Sequence, residues 1–450
     1  MCEWFGTKAP QGGSNEWNLI AVSWWRRSQT YCPAVFSRWP VRKNVRWTPH
    51  RLAWMALLMT WDEGQTLTHR WEHAWQWARQ ERAHWKLGAS FSGFTGALLK
   101  WTQTLVPVII ERFRQLMQQQ AGPFWTREGW LAMAVDGTRI EAPRTAANEA
   151  GLGCAGRKKT APQVFLTTLW HLGLGLPWGY RLGPGTDSER THLQDMIDDL
   201  PAHTLLVADA GFVSYPLCRA LLQQDRSFLL RVGGNITLLS ELGYYHQEQG
   251  GLVYLWPEAR RDSRPLVLRL ITLEGLKQPI CLLTNVLEAS ELTDTTAAAL
   301  SALRWGEEVF YRSYKQTLQR RMLKSRTPDT ALAEAHWTLL GIWLLGLMSV
   351  FGLIAAGHDP LAWSVAASRD IVRRAVRNHH SGRRRRRLKD DLGGATKDRY
   401  QRTRPKTARN FPRQKNEPAP RPPNIKPATT SQIQRAQQHP PPNINLKWTA

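Results

Sequence analysis

Two short apolar runs in this chain end in the same way. Residues 131–135 read Leu-Ala-Met-Ala-Val and lead into Asp136-Gly137-Thr138; residues 204–208 read Thr-Leu-Leu-Val-Ala and lead into Asp209-Ala210-Gly211-Phe212. Runs this short, bounded by turn residues, read as strands covered on both faces, as parallel strands between helices are. The pattern predicts an α/β fold in which two buried strands each deliver an acid at the C-terminal end. One strand-end Asp is usually a cap or a turn residue. Two, on strands of like pattern, point to a site.

The segments around these runs fit the same class. Residues 163–171 and 176–182 are β-leaning and joined through Gly173 and Gly175, which predicts a hairpin beside the first strand. A short amphipathic helix is expected over 188–200, with Ser188 as N-cap, and another over 214–224. Residues 227–284 read as β-rich, with strands at 228–232, 252–256, 266–272 and 280–284. Upstream, apolar residues at helical spacing (Leu52, Met55, Ala56, Met59; Trp71, Trp75, Ala78; Phe94, Leu98) predict a helical region in which the Trp residues are core. Residues 1–48 interleave Trp with Arg and Lys and read either as a nucleic-acid surface or as an entry segment.

A long helix is expected over about 290–325, ended by Pro328. Within it stands Arg304-Trp305-Gly306-Glu307-Glu308, followed by Lys315. Arg304, Glu308 and Lys315 recur at four and seven residues, so they share one face. That face reads either as ordinary charge pairing or as a carboxylate between two phosphate-binding cations. With Asp136 and Asp209 upstream, Glu308 becomes the third member of a set. Three converging carboxylates suit hard divalent cations. Two such ions, about 3.5–4 Å apart, support phosphodiester displacement. Trp305 is expected to pack the helix against the sheet.

Charge narrows the partner. The 450 residues carry a net +24, and residues 361–450 hold 22 Lys and Arg against 5 Asp and Glu, a net +17. Such a balance favours a polyanion. From residue 381 the chain is rich in Arg, Pro, Gln and Asn, includes five consecutive Arg at 383–387, and is expected to be mostly disordered. Five Cys (2, 32, 154, 218, 281) lie too far apart for a zinc knuckle, and free thiols in a reducing cytoplasm are expected. Residues 337–356 contain no charge, a length that meets the criterion for a membrane span. A lone segment beside a polyanion-binding chain reads better as a buried helix.

The motifs at Asp136, Asp209 and Arg304 through Lys315 resemble those of DDE transposases of the bacterial insertion-sequence-4 family. Ser188-Glu189-Arg190-Thr191-His192-Leu193 and Thr284-Asn285 add to the likeness, which covers about residues 125–325. The family signature is Tyr-x2-Arg-x3-Glu-x6-Lys; Arg304, Glu308 and Lys315 fit it, and Ser301 occupies the Tyr position. The spacing selects Glu308 over its neighbour Glu307. The resemblance implies an RNase H-like catalytic core, with Asp136, Asp209 and Glu308 as catalytic metal ligands for two Mg²⁺ (or Mn²⁺). It implies Arg304 and Lys315 as contacts to double-stranded DNA, and a homodimer on paired element ends in the bacterial cytoplasm, associated with the nucleoid. Expected regions are a helical N-terminal region, 1–122, a candidate for DNA binding; the catalytic domain, 123–380, with a β-rich insertion at 228–286; and the basic tail, 381–450. The activity implied is metal-dependent cleavage and strand transfer of an insertion element. The alternative is a catalytically impaired DNA-binding protein from a decayed element, to which Ser301 points.

Overall fold

The structure is a computed structural model. It describes residues 44–398, apart from 157–160, 234–242, 245–250, 256–265, 275–278 and 378–387, together with isolated residues between 423 and 434. The Trp-rich start, the basic loop Arg157-Lys158-Lys159, the five-Arg run and most of the tail lie outside the described residues.

Three helices come first: α1 (Pro49–Trp61), α2 (Leu67–Glu81) and α3 (Phe91–Gln120). Each has a Thr or Ser N-cap whose hydroxyl accepts a first-turn N–H: Thr48, Thr66 and Ser90. Then come β1 (Leu131–Glu141), α4 (Ala146–Leu152), β2 (Gln163–His171), β3 (Leu176–Pro184), α5 (Glu189–Gln194), β4 (Thr204–Ala208), α6 (Tyr215–Gln223) and β5 (Ser227–Val232). Three more strands follow, β6 (Leu252–Leu255), β7 (Leu266–Leu273) and β8 (Ile280–Thr284). The chain continues through α7 (Asp294–Leu303), α8 (Trp305–Arg312), α9 (Pro328–Ala355), α10 (Val365–Arg377) and α11 (Leu388–Gly393).

These eight strands form one mixed sheet, ordered β3-β2-β1-β4-β5-β8-β7-β6, and a separate parallel pair joins Gly243–Tyr244 to Lys426–Pro427. β1, β4 and β5 are parallel, and β2 is antiparallel to both β1 and β3. β8, β7 and β6 continue the sheet beyond β5 in antiparallel pairing. The β-rich segment therefore extends the central sheet instead of forming a layer of its own. Every residue of β4 is buried, as the uninterrupted apolar run requires.

Four expectations need correction. β1 does not end at Asp136 but runs on to Glu141, because β2 pairs with it from Met133↔His171 to Glu141↔Gln163. What ends there is the parallel pairing, whose last register pair is Val135↔Ala208. The helix expected over 290–325 is two helices meeting at Arg304, followed by a π-helical turn (Ser313–Thr317) and an end at Gln319, whose φ is 56°. Pro328 opens the next helix instead of closing this one. It follows the N-cap Thr327, at a first-turn position where its missing N–H costs nothing. Residues 388–397, assigned by composition to the tail, pack back onto the protein. Leu392 and Ala395 are buried, Ala395 O accepts from Ser364 N at 2.8 Å, and Lys397 N donates to Ala362 O at 2.6 Å.

α9 is the uncharged segment, and it is the central helix of the core. Trp61 Nε1 of α1 donates to Gly341 O at 3.0 Å, and Thr60 Oγ1 donates to Trp337 O at 3.2 Å. Trp343 meets Phe113 of α3 edge-on, with ring centroids 5.3 Å apart. The N-terminal helices thus share one core with the chain that follows the sheet. The apolar window of α9 is 89% buried inside the protein, which leaves little of it for lipid. Two of the described Cys, Cys218 and Cys281, are buried free thiols.

Candidate active site

Asp136 and Asp209 are brought together by strand register. Val135 and Ala208 are the last partners of the parallel β1–β4 pair, so the next residue on each strand is an Asp at the same edge. β1 continues beside β2, whereas the chain leaves β4 in a single 3-10 turn (Ala210–Phe212) that Asp209 caps. Each Asp has one oxygen held by the following backbone amide: Gly137 N donates to Asp136 Oδ1 at 2.8 Å and Ala210 N to Asp209 Oδ1 at 2.7 Å. Both side chains are oriented by their own chain, with the second oxygen left for another partner.

Glu308 arrives from α8. Arg304, at the junction of α7 and α8, lies between it and Asp209. The guanidinium Nη2 is 3.6 Å from Glu308 Oε1 and 3.7 Å from Asp209 Oδ2, and Arg304 is only 5% exposed. Arg304 was expected to face DNA phosphate; in this structure it is a buried counter-ion to two of the three acids. Lys315, in the π-helical turn, donates from Nζ to Thr138 Oγ1 at 2.7 Å, two residues beyond Asp136. Burial lowers the Lys315 ammonium, with Glu141 opposing. Trp305 is not packed against the sheet. It is 59% exposed beside Arg304, while Phe310 on the same helix makes the sheet contact, its ring 4.9 Å from that of Trp170 on β2. Ser301, at the family's Tyr position, is half-buried on α7.

The acids crowd one another. Burial pushes the Asp136 carboxyl up, and the charge of Asp209 adds to this, against the Gly137 N–H, Arg304 and Lys315. Burial also raises Glu308, with Arg304 opposing and both Asp residues adding. A fourth acid, Glu189 at the start of α5, is raised by burial and then by Asp136. A Cβ placed on Gly137 would lie 3.0 Å from Glu189 Oε2, and one on Gly211 would lie 2.7 Å from Glu189 Oε1. The glycine after each strand Asp therefore leaves room for this carboxylate. Sequence spacing alone gave Glu189 no role; the hints were its place in the Ser188–Leu193 stretch that adds to the family likeness and a Gly within two residues of each Asp.

Glu307 is the second residue that spacing passes over. Consecutive helical residues point about 100° apart, so with Glu308 partly exposed Glu307 turns inward. It is fully buried. Its Oε1 accepts from Asp136 N at 3.1 Å and contacts the hydroxyls of Thr168 and Tyr311. Tyr311 Oη also donates to Asp136 O at 2.7 Å and lies 2.7 Å from Thr168 Oγ1. Burial, then the charge of Asp136, push the Glu307 carboxyl well above its ordinary range.

As a cation site the donor set is chemically apt: all oxygen, acids that repel one another, and a second oxygen on each Asp that its own backbone does not hold, that of Asp209 being paired with Arg304. Among the described residues no three His, Cys, Asp or Glu side chains lie close enough to hold an ion as they stand. Arg304 occupies the position between Asp209 and Glu308 that a cation would share.

Two parallel strands deliver Asp to one edge, and a helix brings Glu beside Asp209 through Arg304. Residues 131–344 match the family model described as the transposase DDE domain. The chain is similar to "Transposase InsG for insertion sequence element IS4" of Escherichia coli (strain K12), at 28% identity over 232 residues, 48% of this chain and 51% of that protein. The chain thus spans about half the length of this curated relative. It is also similar to the cryo-EM structure of the piggyBac transposase synaptic complex with hairpin DNA. There the TM-score is 0.41 and the identity 11%, over 86% of this chain and 84% of that one, a likeness too distant to bear on the site.

Proposed function

We propose that the chain cuts DNA at the ends of an insertion element and joins the freed 3′ ends to target DNA, in a metal-dependent reaction. The observation that carries this reading is the shared strand edge of Asp136 and Asp209, with Glu308 linked to Asp209 through Arg304. The strand order β3-β2-β1-β4-β5 with only β2 reversed supports an RNase H-like core. Asp136, Asp209 and Glu308 would hold two Mg²⁺, or Mn²⁺, with Glu189 close by. When bound, such ions activate the attacking oxygen and stabilise the leaving one.

The chain's own groups do the rest. The Gly137 and Ala210 amides orient the two Asp carboxylates before any substrate arrives. Arg304 neutralises Asp209 and Glu308 in the free protein; once cations take up that charge, its guanidinium is available to a DNA phosphate, as the family signature implies. Lys315 supplies a second cation on the same edge. Trp305, exposed beside them, offers a flat apolar face to a base. Double-stranded DNA as substrate, a homodimer on paired ends and a place on the bacterial nucleoid belong to the same proposal.

A strand-transfer assay with a donor end and Mg²⁺ tests it. Wild type is expected to join the end to target, while Glu308→Gln and Asp209→Asn bind the end with unchanged affinity and do not cut it. Equal joining by wild type and Glu308→Gln overturns the enzyme reading. A second reading, a DNA-binding product of a decayed element, is favoured by Ser301 at the signature Tyr position. It requires end binding with no joining by wild type in either Mg²⁺ or Mn²⁺.

A further inference from the structure

We infer that Glu307 and Tyr311 form a clamp that sets the register of α8 on β1 and thereby aims Glu308 at the two Asp residues, so that both are positioning residues for the metal site. The inference rests on the metal-site reading of Asp136, Asp209 and Glu308. It is carried by a set of contacts that converge on one residue's backbone. Glu307 and Tyr311 are four apart on α8, hence on one face. Glu307 Oε1 takes the N–H of Asp136 at 3.1 Å, and Tyr311 Oη gives its proton to the C=O of Asp136 at 2.7 Å. Both also reach the hydroxyl of Thr168, the residue paired with Asp136 across β1 and β2. Two side chains one turn apart thus grip the main chain of the residue that bears the first carboxylate, from both of its peptide groups.

An aliphatic side chain would fill the same volume without difficulty. The carboxyl that stands there is fully buried, and among the described residues its Oε2 has no hydrogen-bond partner. Packing gains nothing from that atom. What the carboxyl provides and a hydrocarbon cannot is the bond to the Asp136 amide. Because Glu308 is the next residue on the helix, fixing Glu307 inward fixes the direction of Glu308. A helix free to rotate by a fraction of a residue would carry Glu308 away from Asp209. Phe310 packs on Trp170 and limits how far α8 can tilt, but it makes no bond to Asp136.

The test compares Glu307→Gln, which keeps an acceptor and a donor in place, with Glu307→Leu and Tyr311→Phe, which do not. Mn²⁺ binding to the full chain is read by electron paramagnetic resonance, and exchange of the Asp136 amide by mass spectrometry without metal. Glu307→Leu is expected to bind Mn²⁺ at least tenfold more weakly and to exchange the Asp136 amide at least tenfold faster, with affinity for an element end in EDTA unchanged. Glu307→Gln is expected to stay within threefold of wild type in both readouts. Tyr311→Phe should fall between them, and it serves as the test if Glu307→Leu does not fold. Wild-type Mn²⁺ affinity in folded Glu307→Leu, or equal losses in the Gln and Leu variants, overturns the clamp. Asp136→Asn is the control on the underlying reading: if it binds Mn²⁺ like wild type, the metal site is wrong. In that case unchanged amide exchange in Glu307→Leu sinks the clamp as well, and accelerated exchange leaves the grip on Asp136 supported.

Discussion

The Glu307 carboxyl is shut away from water with one oxygen unpartnered among the described residues, and that gives the metal-free protein a definite response to pH. The folded state keeps on Glu307 a proton that the unfolded chain releases near the ordinary value of 4.5. Stability from this group is therefore present below that pH and is lost as pH rises toward the folded-state value. Buried histidines act with the opposite sign: His50 and His336 are pulled down to about 4 and His171 to about 3, all by burial first, so folding weakens as pH falls below 6.5. Comparing wild type with Glu307→Gln isolates the carboxyl. Between pH 5 and 8 the stability difference is expected to move steadily in favour of the Gln variant as pH rises. A difference that stays constant would show that Glu307 does not retain its proton. At this scale the sequence was legible where spacing sufficed. Asp136 and Asp209 share a strand edge and Arg304 lies between Asp209 and Glu308, but which of Glu307 and Glu308 turns inward, and that Trp305 faces solvent, depend on how α8 sits on β2.

Elements were legible where one period ran unbroken. β4 lies where its four apolar residues after Thr204 put it, and the hairpin β2–β3 lies where the Gly173 and Gly175 punctuation puts it. The helix over 290–325 was overread because apolar and charged residues keep helical spacing past 317, while the break there is imposed from outside. Arg320 is drawn onto the C-terminal carbonyls of α1, donating to Thr60 O at 3.1 Å and to Met59 O at 3.3 Å, and no local pattern announces that. The same region yields a prediction. α1 and α9 approach so closely at Gly341 that a Cβ there would lie 2.6 Å from Thr60 Cγ2 and 2.7 Å from Thr60 Cβ. Thr60 is β-branched and buried, with its hydroxyl held by Ala56 O and Trp337 O, so it has little room to move. Gly341→Ala is expected to cost about 1–3 kcal/mol in a urea or thermal melt, as overpacking does. A melt unchanged from wild type would mean the two helices separate freely.

Across the whole molecule the charge is unevenly spread, with most of the net +24 in the last ninety residues. Part of that stretch is structural, since Leu392 and Ala395 are buried and Lys397 bonds to residues 361 and 362. A deletion that asks about DNA should therefore start at residue 399. It is expected to leave folding intact and to flatten the salt dependence of nonspecific binding. The slope of log K against log salt should shrink by about 0.9 for each DNA phosphate that the shortened chain no longer neutralises. An unchanged slope would show that the tail neutralises none. Composition could reveal the excess of charge but not the ten residues that fold back, because their anchors are two small apolar side chains and a few bonds to main-chain carbonyls. The acids stood out in the sequence because two follow short apolar runs and the third lies on a helix face; the Arg304 bridge did not, because it depends on where α7 meets α8. The most direct measurement is anomalous scattering from Mn²⁺ in crystals of the protein with an element end bound. Peaks beside Asp136, Asp209 and Glu308, with Arg304 moved off Asp209 toward a phosphate, are the expected result. At saturating Mn²⁺, no peak at these carboxylates and Arg304 still paired with Asp209 and Glu308 would contradict it.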